Sequence, residues 1–346
     1  MKKILIAIAL AAQPGAAAQS RAWAPSLKAL DAIEVPAAAA ERIVGGEKVL
    51  DLNSPEFRHT VRLLITMQFP KAPPVPANLQ GRSFSSRCSG SLISEKAVLT
   101  AAHCLPSEIY LPEDGGWLPV TVKSAAVYFK RSSKEDSPNG APHERYVRHP
   151  GFSDRWYLQA ANAWNPEKPV NDIAVLFLRD PAPSFKSPAA LAAPGSQPAP
   201  GRELILAGFG KTSNAASVEI PEMRRVAIPF RAALRNGRDF YAGHGDLAAP
   251  QQITSPKGGC HGDSGAPAYL AEAGGYRVAG VVARGPDSAN GGCEAGVTVL
   301  TGVGHYAAWL QSVAGPSAMA VDGPVFAPQA PAEKLPAHSL GLKPRR

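Results

Sequence analysis

Between about residue 43 and residue 313 the chain is cut into apolar runs of four to six residues, each closed by glycine, proline or a polar turn. Runs this short match β-strands and fall short of the ten or more residues over which a helix presents a full apolar stripe. The clearest are 61–66, 97–100, 125–129, 173–178, 204–207 and 278–282. Many short strands joined by turns predict an all-β barrel or sandwich. Only 306–313 has helical spacing, with Tyr306, Trp309, Leu310 and Val313 on one face. With 45% hydrophobic and 18% charged residues in 346, the chain can bury a sizeable core.

The ends read differently. Lys2 and Lys3 precede the apolar run 4–12, and Ala16, Ala17 and Ala18 offer a small-residue cleavage site. This pattern predicts an export signal over 1–18, since the run is about half of the ~20 residues that span a bilayer. No other segment is long and apolar enough to span, so no membrane span is expected. An alanine-rich pro-segment is expected over 19–42 and a folded domain over 43–314. A Pro/Ala-rich, basic, disordered tail is expected over 315–346. Inside the domain, 70–87, 131–142 and 181–201 read as loops, the last as a crossover between two halves.

Export places the protein outside the cell or in a periplasm, where four cysteines form two disulfides. Four cysteines allow three pairings, and counting does not choose among them. The formal charge of +8 comes from scattered Lys and Arg, part of it in the tail (Lys334, Lys343, Arg345, Arg346). Without an aromatic-interleaved basic stripe this is a solvated basic surface, and no nucleic-acid partner is expected.

Three segments carry nucleophilic chemistry. Gly262-Asp263-Ser264-Gly265 puts a serine between glycines that permit a tight turn and a close substrate approach. A serine hydroxyl needs a base to take its proton and donors to hold the resulting oxyanion. The amides of Gly262 and Ser264 can point into one hole. Leu99-Thr100-Ala101-Ala102-His103-Cys104 supplies a histidine after a strand, with little bulk around the ring. Asn171-Asp172-Ile173-Ala174 supplies an aspartate opening an apolar strand, placed to hold a histidine in one tautomer. Singly, each segment has a plainer reading: a surface turn, a structural histidine, a loop residue or cap.

Together they stand in the order His, Asp, Ser. With Ile43-Val44-Gly45-Gly46 and the continuation Ala266-Pro267, they resemble the trypsin/chymotrypsin family over about 43–313. The resemblance implies two packed six-stranded antiparallel β-barrels with a short C-terminal helix. It implies a serine endopeptidase with His103, Asp172 and Ser264 as its triad and Gly262 and Ser264 as its oxyanion hole. It pairs Cys88 with Cys104 and Cys260 with Cys293. Cleavage after Arg42, by an activating protease or by self-processing, would free the Ile43 ammonium to pair with Asp263. The partners are then polypeptide substrates, and a monomer is expected. No cofactor or metal is expected, since no paired spacing of zinc ligands is present.

The pattern departs from the family at the pocket wall, where Ala283-Arg284-Gly285 stands for Ser-Trp-Gly. The missing serine hydroxyl weakens the support of Asp172. Arg284 either attracts acidic substrate residues or turns to solvent. These departures are the only support for the alternative, a binding protein that keeps the protease fold with little turnover, since no triad residue is lost. The resemblance implies a primary pocket with Gly258 as its floor and Gly285 and Gly296 as its walls. An open, uncharged pocket of this kind favours apolar or aromatic residues. Glu294, Lys257 and His261 lie near enough in sequence to change that. Trp156, Tyr157 and Trp164 fall in a long loop before Asp172, where covering a local core is favoured over touching substrate.

Overall fold

The computed structural model describes residues 43–315 except 115, 138, 163, 215–221, 251, 253–255, 273–274 and 288–289. The expected signal, pro-segment and tail, and with them Arg42, lie outside the described residues. Thr60–Gln68 (β1) pairs with Ser83–Ser94 (β2) from Thr60↔Ser91 to Gln68↔Ser83. On its other edge it pairs with Thr121–Tyr128 (β4). Ala97–Thr100 (β3), Ala141–Arg148 (β5) and Ala174–Leu178 (β6) complete a closed barrel in the order β1-β2-β3-β6-β5-β4. Side chains alternate across a strand, so Val61, Leu63, Ile65 and Met67 share one face of β1, and all four are buried.

A second barrel follows. Its strands are Glu203–Gly208 (β7), Arg224–Ala233 (β8), Asp239–Gly243 (β9), Pro267–Glu272 (β10), Gly275–Arg284 (β11) and Val297–Gly302 (β12). They run β8-β7-β10-β11-β12-β9, and β8 pairs with β9 to close the ring. Leu204, Leu206, Val226, Ile228, Phe230, Phe240 and Leu300 fill it. The link between the barrels passes through the expected crossover, where Ala190–Leu191 pairs in parallel with β11. Buried Tyr269 on β10 shares a 3.0 Å hydrogen bond with Thr60 Oγ1 on β1 and so ties one barrel to the other.

Among the described residues, three α-helices decorate the barrels. Pro55–His59 (α1) is capped by Ser54, whose Oγ accepts the Phe57 amide at 3.2 Å. Asp154–Asn162 (α2) lies in the long loop before Asp172, and Ala307–Ala314 (α3) is the expected C-terminal helix. None of the described helices is long and apolar enough to cross a membrane.

Two expectations are corrected. The loop 70–87 gives way to strand at Ser83, because the β1 ladder carries on into a serine-rich segment. There Thr66 Oγ1 and Ser85 Oγ hydrogen-bond at 3.1 Å on the exposed face, and no apolar alternation marks the strand. In the long loop, α2 is held by polar contacts at its start. Asp154 accepts from Ser107 Oγ at 2.8 Å and from Arg148 Nη1 at 2.9 Å.

Candidate active site

The candidate base, His103, comes from the first barrel. After β3 the chain makes a short 3₁₀ turn, Ala102–Cys104, and the Cys88–Cys104 disulfide ties that turn to β2. His103 Nδ1 lies 2.7 Å from Asp172 Oδ2, and the His103 amide donates to Asp172 Oδ1 at 2.9 Å. Both carboxylate oxygens thus hold one residue, and Asp172 is 0% exposed. This fixes the Nδ1–H tautomer and leaves Nε2 free to accept a proton.

Asn171 sets the aspartate and was not anticipated from the sequence. Its backbone is left-handed, with φ of 51°, a conformation asparagine tolerates better than most residues. Its amide donates to Gly151 O at 2.8 Å. Its Oδ1 accepts from Arg238 Nη1 at 2.7 Å and from Tyr306 OH at 3.0 Å.

The candidate nucleophile, Ser264, comes from the second barrel, on the turn from Gly262 to Gly265. Gly262 and Gly265 have φ of 98° and 82°, and a Cβ on Gly265 would collide with Thr100 Oγ1 and Ser89 O. Ser89, also not anticipated, staples this turn to β2. Its amide donates to Ser264 O at 2.8 Å, and its hydroxyl donates to Gly262 O at 2.9 Å while accepting the Phe209 amide at 3.2 Å. Cys104 Sγ is 3.7 Å from Ser264 O, so the serine turn and the histidine turn adjoin. The Ser264 hydroxyl makes no hydrogen bond to His103 among the described residues. Such bonds commonly tighten only when substrate is present.

Asp263 is buried beside this turn. Its oxygens accept the Gly210 amide at 2.7 Å and the Cys260 amide at 3.0 Å. Burial pushes its carboxyl up to about 7, with these amides opposing the shift. Ile43 is buried in the second barrel's core, and Val44 bridges to Gly258, whose amide donates to Val44 O at 3.3 Å.

Gly258, the floor position expected from the resemblance, brings no charge. A Cβ on Gly258 would lie 2.8 Å from Thr298 Oγ1, and Thr298 Oγ1 accepts the Gly259 amide at 3.1 Å. A Cβ on Gly259 would meet Val282 Cγ1 at 3.3 Å, and one on Gly285 would meet Val297 O at 3.4 Å. Gly296 is left-handed, and the Cys260–Cys293 disulfide joins the floor to the segment before it. Glu294 is engaged elsewhere, its Oε1 accepting the Asn214 amide at 3.1 Å. The Lys257 stem lies against Gly45, and His261 is exposed at the rim.

Arg284 takes neither orientation expected from the sequence. It turns inward, 3.2 Å from Asp239 Oδ2, and its Nη2 also donates to Pro166 O at 2.7 Å and Lys168 O at 3.3 Å. Burial raises the Asp239 carboxyl, and the Arg284 guanidinium opposes that shift.

The loop aromatics divide. Trp156 is 52% exposed, and Trp164 Nε1 donates to Leu247 O at 3.2 Å. Tyr157 stacks on His103, with ring centroids 4.3 Å apart and planes within 10°. A metal has no purchase beside His103, because the nearby sulfurs of Cys88 and Cys104 are bonded to each other and carry no thiolate.

Comparisons with known proteins agree with this architecture. Trypsin alpha-4 of Lucilia cuprina is 28% identical over 207 residues, covering 59% of this chain and 69% of the relative. Phenoloxidase-activating factor 3 of Holotrichia diomphalia is 25% identical over 236 residues, covering 65% and 63%. Serine protease 1 of Canis lupus familiaris is 27% identical over 241 residues, covering 68% and 84%. A solved HL collagenase structure, 20% identical, shares the fold with a TM-score of 0.52, over 79% of this chain and 99% of that one. The family model described as Trypsin matches residues 67–310, from the end of β1 into α3. That match takes in the second barrel, five strands of the first and the turns bearing His103, Asp172 and Ser264, and the chain belongs to the trypsin family of serine proteases.

Proposed function

We infer that the protein is a secreted serine endopeptidase, made as a precursor and activated by cleavage after Arg42. The observation that carries the reading is the buried Asp172 carboxylate holding His103 by two hydrogen bonds, beside the stapled turn of Ser264. In the reaction Ser264 Oγ attacks the peptide carbonyl while His103 Nε2 takes its proton. The amides of Gly262 and Ser264 hold the oxyanion. His103 then protonates the departing amine, leaving an ester on Ser264, and water activated by the same nitrogen hydrolyses it. The two disulfides suit an oxidising compartment outside the cytosol.

Two further roles complete the reading. The new Ile43 ammonium would neutralise the buried Asp263 and fix the Gly262 amide. The uncharged slot of Gly258, Gly285, Gly296 and Val282 would take apolar or aromatic side chains, since burying apolar surface is what such a slot rewards, at roughly 25 cal/mol per Å². One observation favours a second reading, a protease-fold binding protein of low turnover: Ala283 brings no hydroxyl to Asp172.

The test is to cleave the precursor before Ile43 and treat it with a fluorophosphonate. Ser264 becomes labelled and a peptide library is cut, while Ser264→Ala loses both and His103→Ala loses about 10⁴ to 10⁶ in turnover. A cleaved, folded protein that neither labels nor cuts is the binding protein instead.

A further inference from the structure

Tyr157 touches both sides of the cleft. Its ring lies flat on the His103 imidazole of the first barrel, and its hydroxyl donates to the Ala283 carbonyl of the second at 3.2 Å. Ala283 follows Val282, whose carbonyl accepts the Gly265 amide at 2.8 Å, so this contact stands next to the nucleophile's turn. One side chain therefore bridges the base and the strand beside Ser264.

β11 ends at Arg284, and its Val282 holds the turn of Ser264, so an extended peptide that offers a carbonyl to Ser264 would run past the strand end at Ala283 to Gly285. Extended peptides bind such edges by main-chain hydrogen bonds. An amide of the peptide would need the Ala283 carbonyl, and a neighbouring side chain would need the open face of His103. Tyr157 takes both.

The segment that carries Tyr157 is fixed at each end. Asp154 at the start of α2 is held by Ser107 and Arg148. Beyond the helix, Trp164 donates to Leu247 O, Glu167 Oε2 accepts the Arg235 amide at 2.6 Å, and Arg284 donates to Pro166 O. The Tyr157 side chain itself is held by one neutral hydrogen bond and by ring contacts with His103 and Phe152. Displacing it breaks these side-chain contacts and none of the bonds that fix the ends of the segment.

We propose that Tyr157 is an autoinhibitory gate, closed over His103 and the Ala283 carbonyl in the free enzyme and displaced by an extended polypeptide. Apparent peptide affinity is then reduced by the fraction of molecules in which the gate is open. This inference rests on the peptide-cleaving reading of the same site.

The experiment uses the protein cleaved before Ile43, with Tyr157→Ala and Tyr157→Phe, and a fluorescent hexapeptide containing one phenylalanine. Hydrolysis is followed in the active background and binding anisotropy in the Ser264→Ala background. Tyr157→Ala raises kcat/KM at least 10-fold, chiefly through KM, and lowers the peptide Kd by a similar factor. Tyr157→Phe keeps the ring and its packing but loses the hydroxyl, and gains less. Unchanged or weaker peptide binding in both variants overturns the gate. So does a fall in kcat at constant KM, which would make Tyr157 a support for His103. Better binding without hydrolysis in any background keeps the gate and refutes the protease reading, whereas hydrolysis with no gain in binding refutes the gate alone.

Discussion

Arg284 and Asp239 meet at 3.2 Å with 1% and 0% of their side chains exposed, a charged pair inside the wall of the second barrel. The guanidinium also holds the carbonyls of Pro166 and Lys168, so the pair anchors the far end of the segment that bears Tyr157. Two of its nitrogens, Nε and Nη1, and one Asp239 oxygen have no hydrogen-bond partner among the described residues. The desolvation of these ions is thus only partly offset.

Removing one partner leaves the other charge buried alone. Arg284→Met and Asp239→Leu should each cost about 3–5 kcal/mol of stability, and the double variant should recover most of that loss. Urea melts of the four proteins give the coupling. Additive losses would show that the two charges do not depend on each other.

Ser89→Ala removes the hydroxyl that serves both Gly262 O and the Phe209 amide. The expected cost is about 1–3 kcal/mol from unsatisfied buried groups. The oxyanion turn loosens with it, so kcat falls on the order of 10-fold while KM changes little. Steady-state kinetics beside a urea melt check this, and a destabilised protein with full kcat would confine Ser89 to a structural role.

The precursor should carry the mark of Asp263 in its pH profile. Its folded carboxyl titrates near 7 against an ordinary value of 3.8, so between those pH values the folded chain holds a proton that the unfolded chain has lost. Stability contributed by this group is full below about pH 4 and declines as pH rises towards 7. Buried His59 runs the opposite way. Burial lowers it from 6.5 to about 4, so its contribution declines as pH falls through that window. The measurement is therefore the difference between precursor and Asp263→Asn precursor across pH 4 to 8. A difference that does not vary with pH would exclude the buried acid.

Gly285→Val tests the pocket. A Cβ there sits at ordinary contact from Val297 O, so the fold tolerates it, while the branched side chain narrows the slot. Hydrolysis after phenylalanine should fall at least 100-fold and hydrolysis after alanine should not. Peptide-library profiles of both proteins decide it, and dominant cleavage after Lys or Arg in the parent would reject the apolar pocket altogether.

The strands that were legible in the sequence are the apolar ones. Runs at 61–66, 173–178 and 204–207 stand out because both their neighbours and their faces are buried. β2 was hidden because Ser83, Ser85 and Ser86 contribute to its ladder through backbone and hydroxyl contacts. His103, Asp172 and Ser264 were legible only as a set, because their segments stand in the order His, Asp, Ser and, with Ile43-Val44-Gly45-Gly46, resemble one family, whereas each alone has a plainer reading. Ser89 and Asn171 were not, since a serine in a strand and an asparagine in a loop carry no local mark of what they will touch. The inward turn of Arg284 depends on Asp239, 45 positions away, and no local pattern joins the two.

His103 and Ser264 belong to different barrels, and buried polar contacts such as those of Ser89 with Ser264 and Gly262 and of Thr60 with Tyr269 hold the barrels in register. A slip along that seam would part base from nucleophile while each core stayed intact. On warming, the proposed catalysis should therefore fade ahead of the β-structure, which makes the working lifetime of the site a property of its seam rather than of either half.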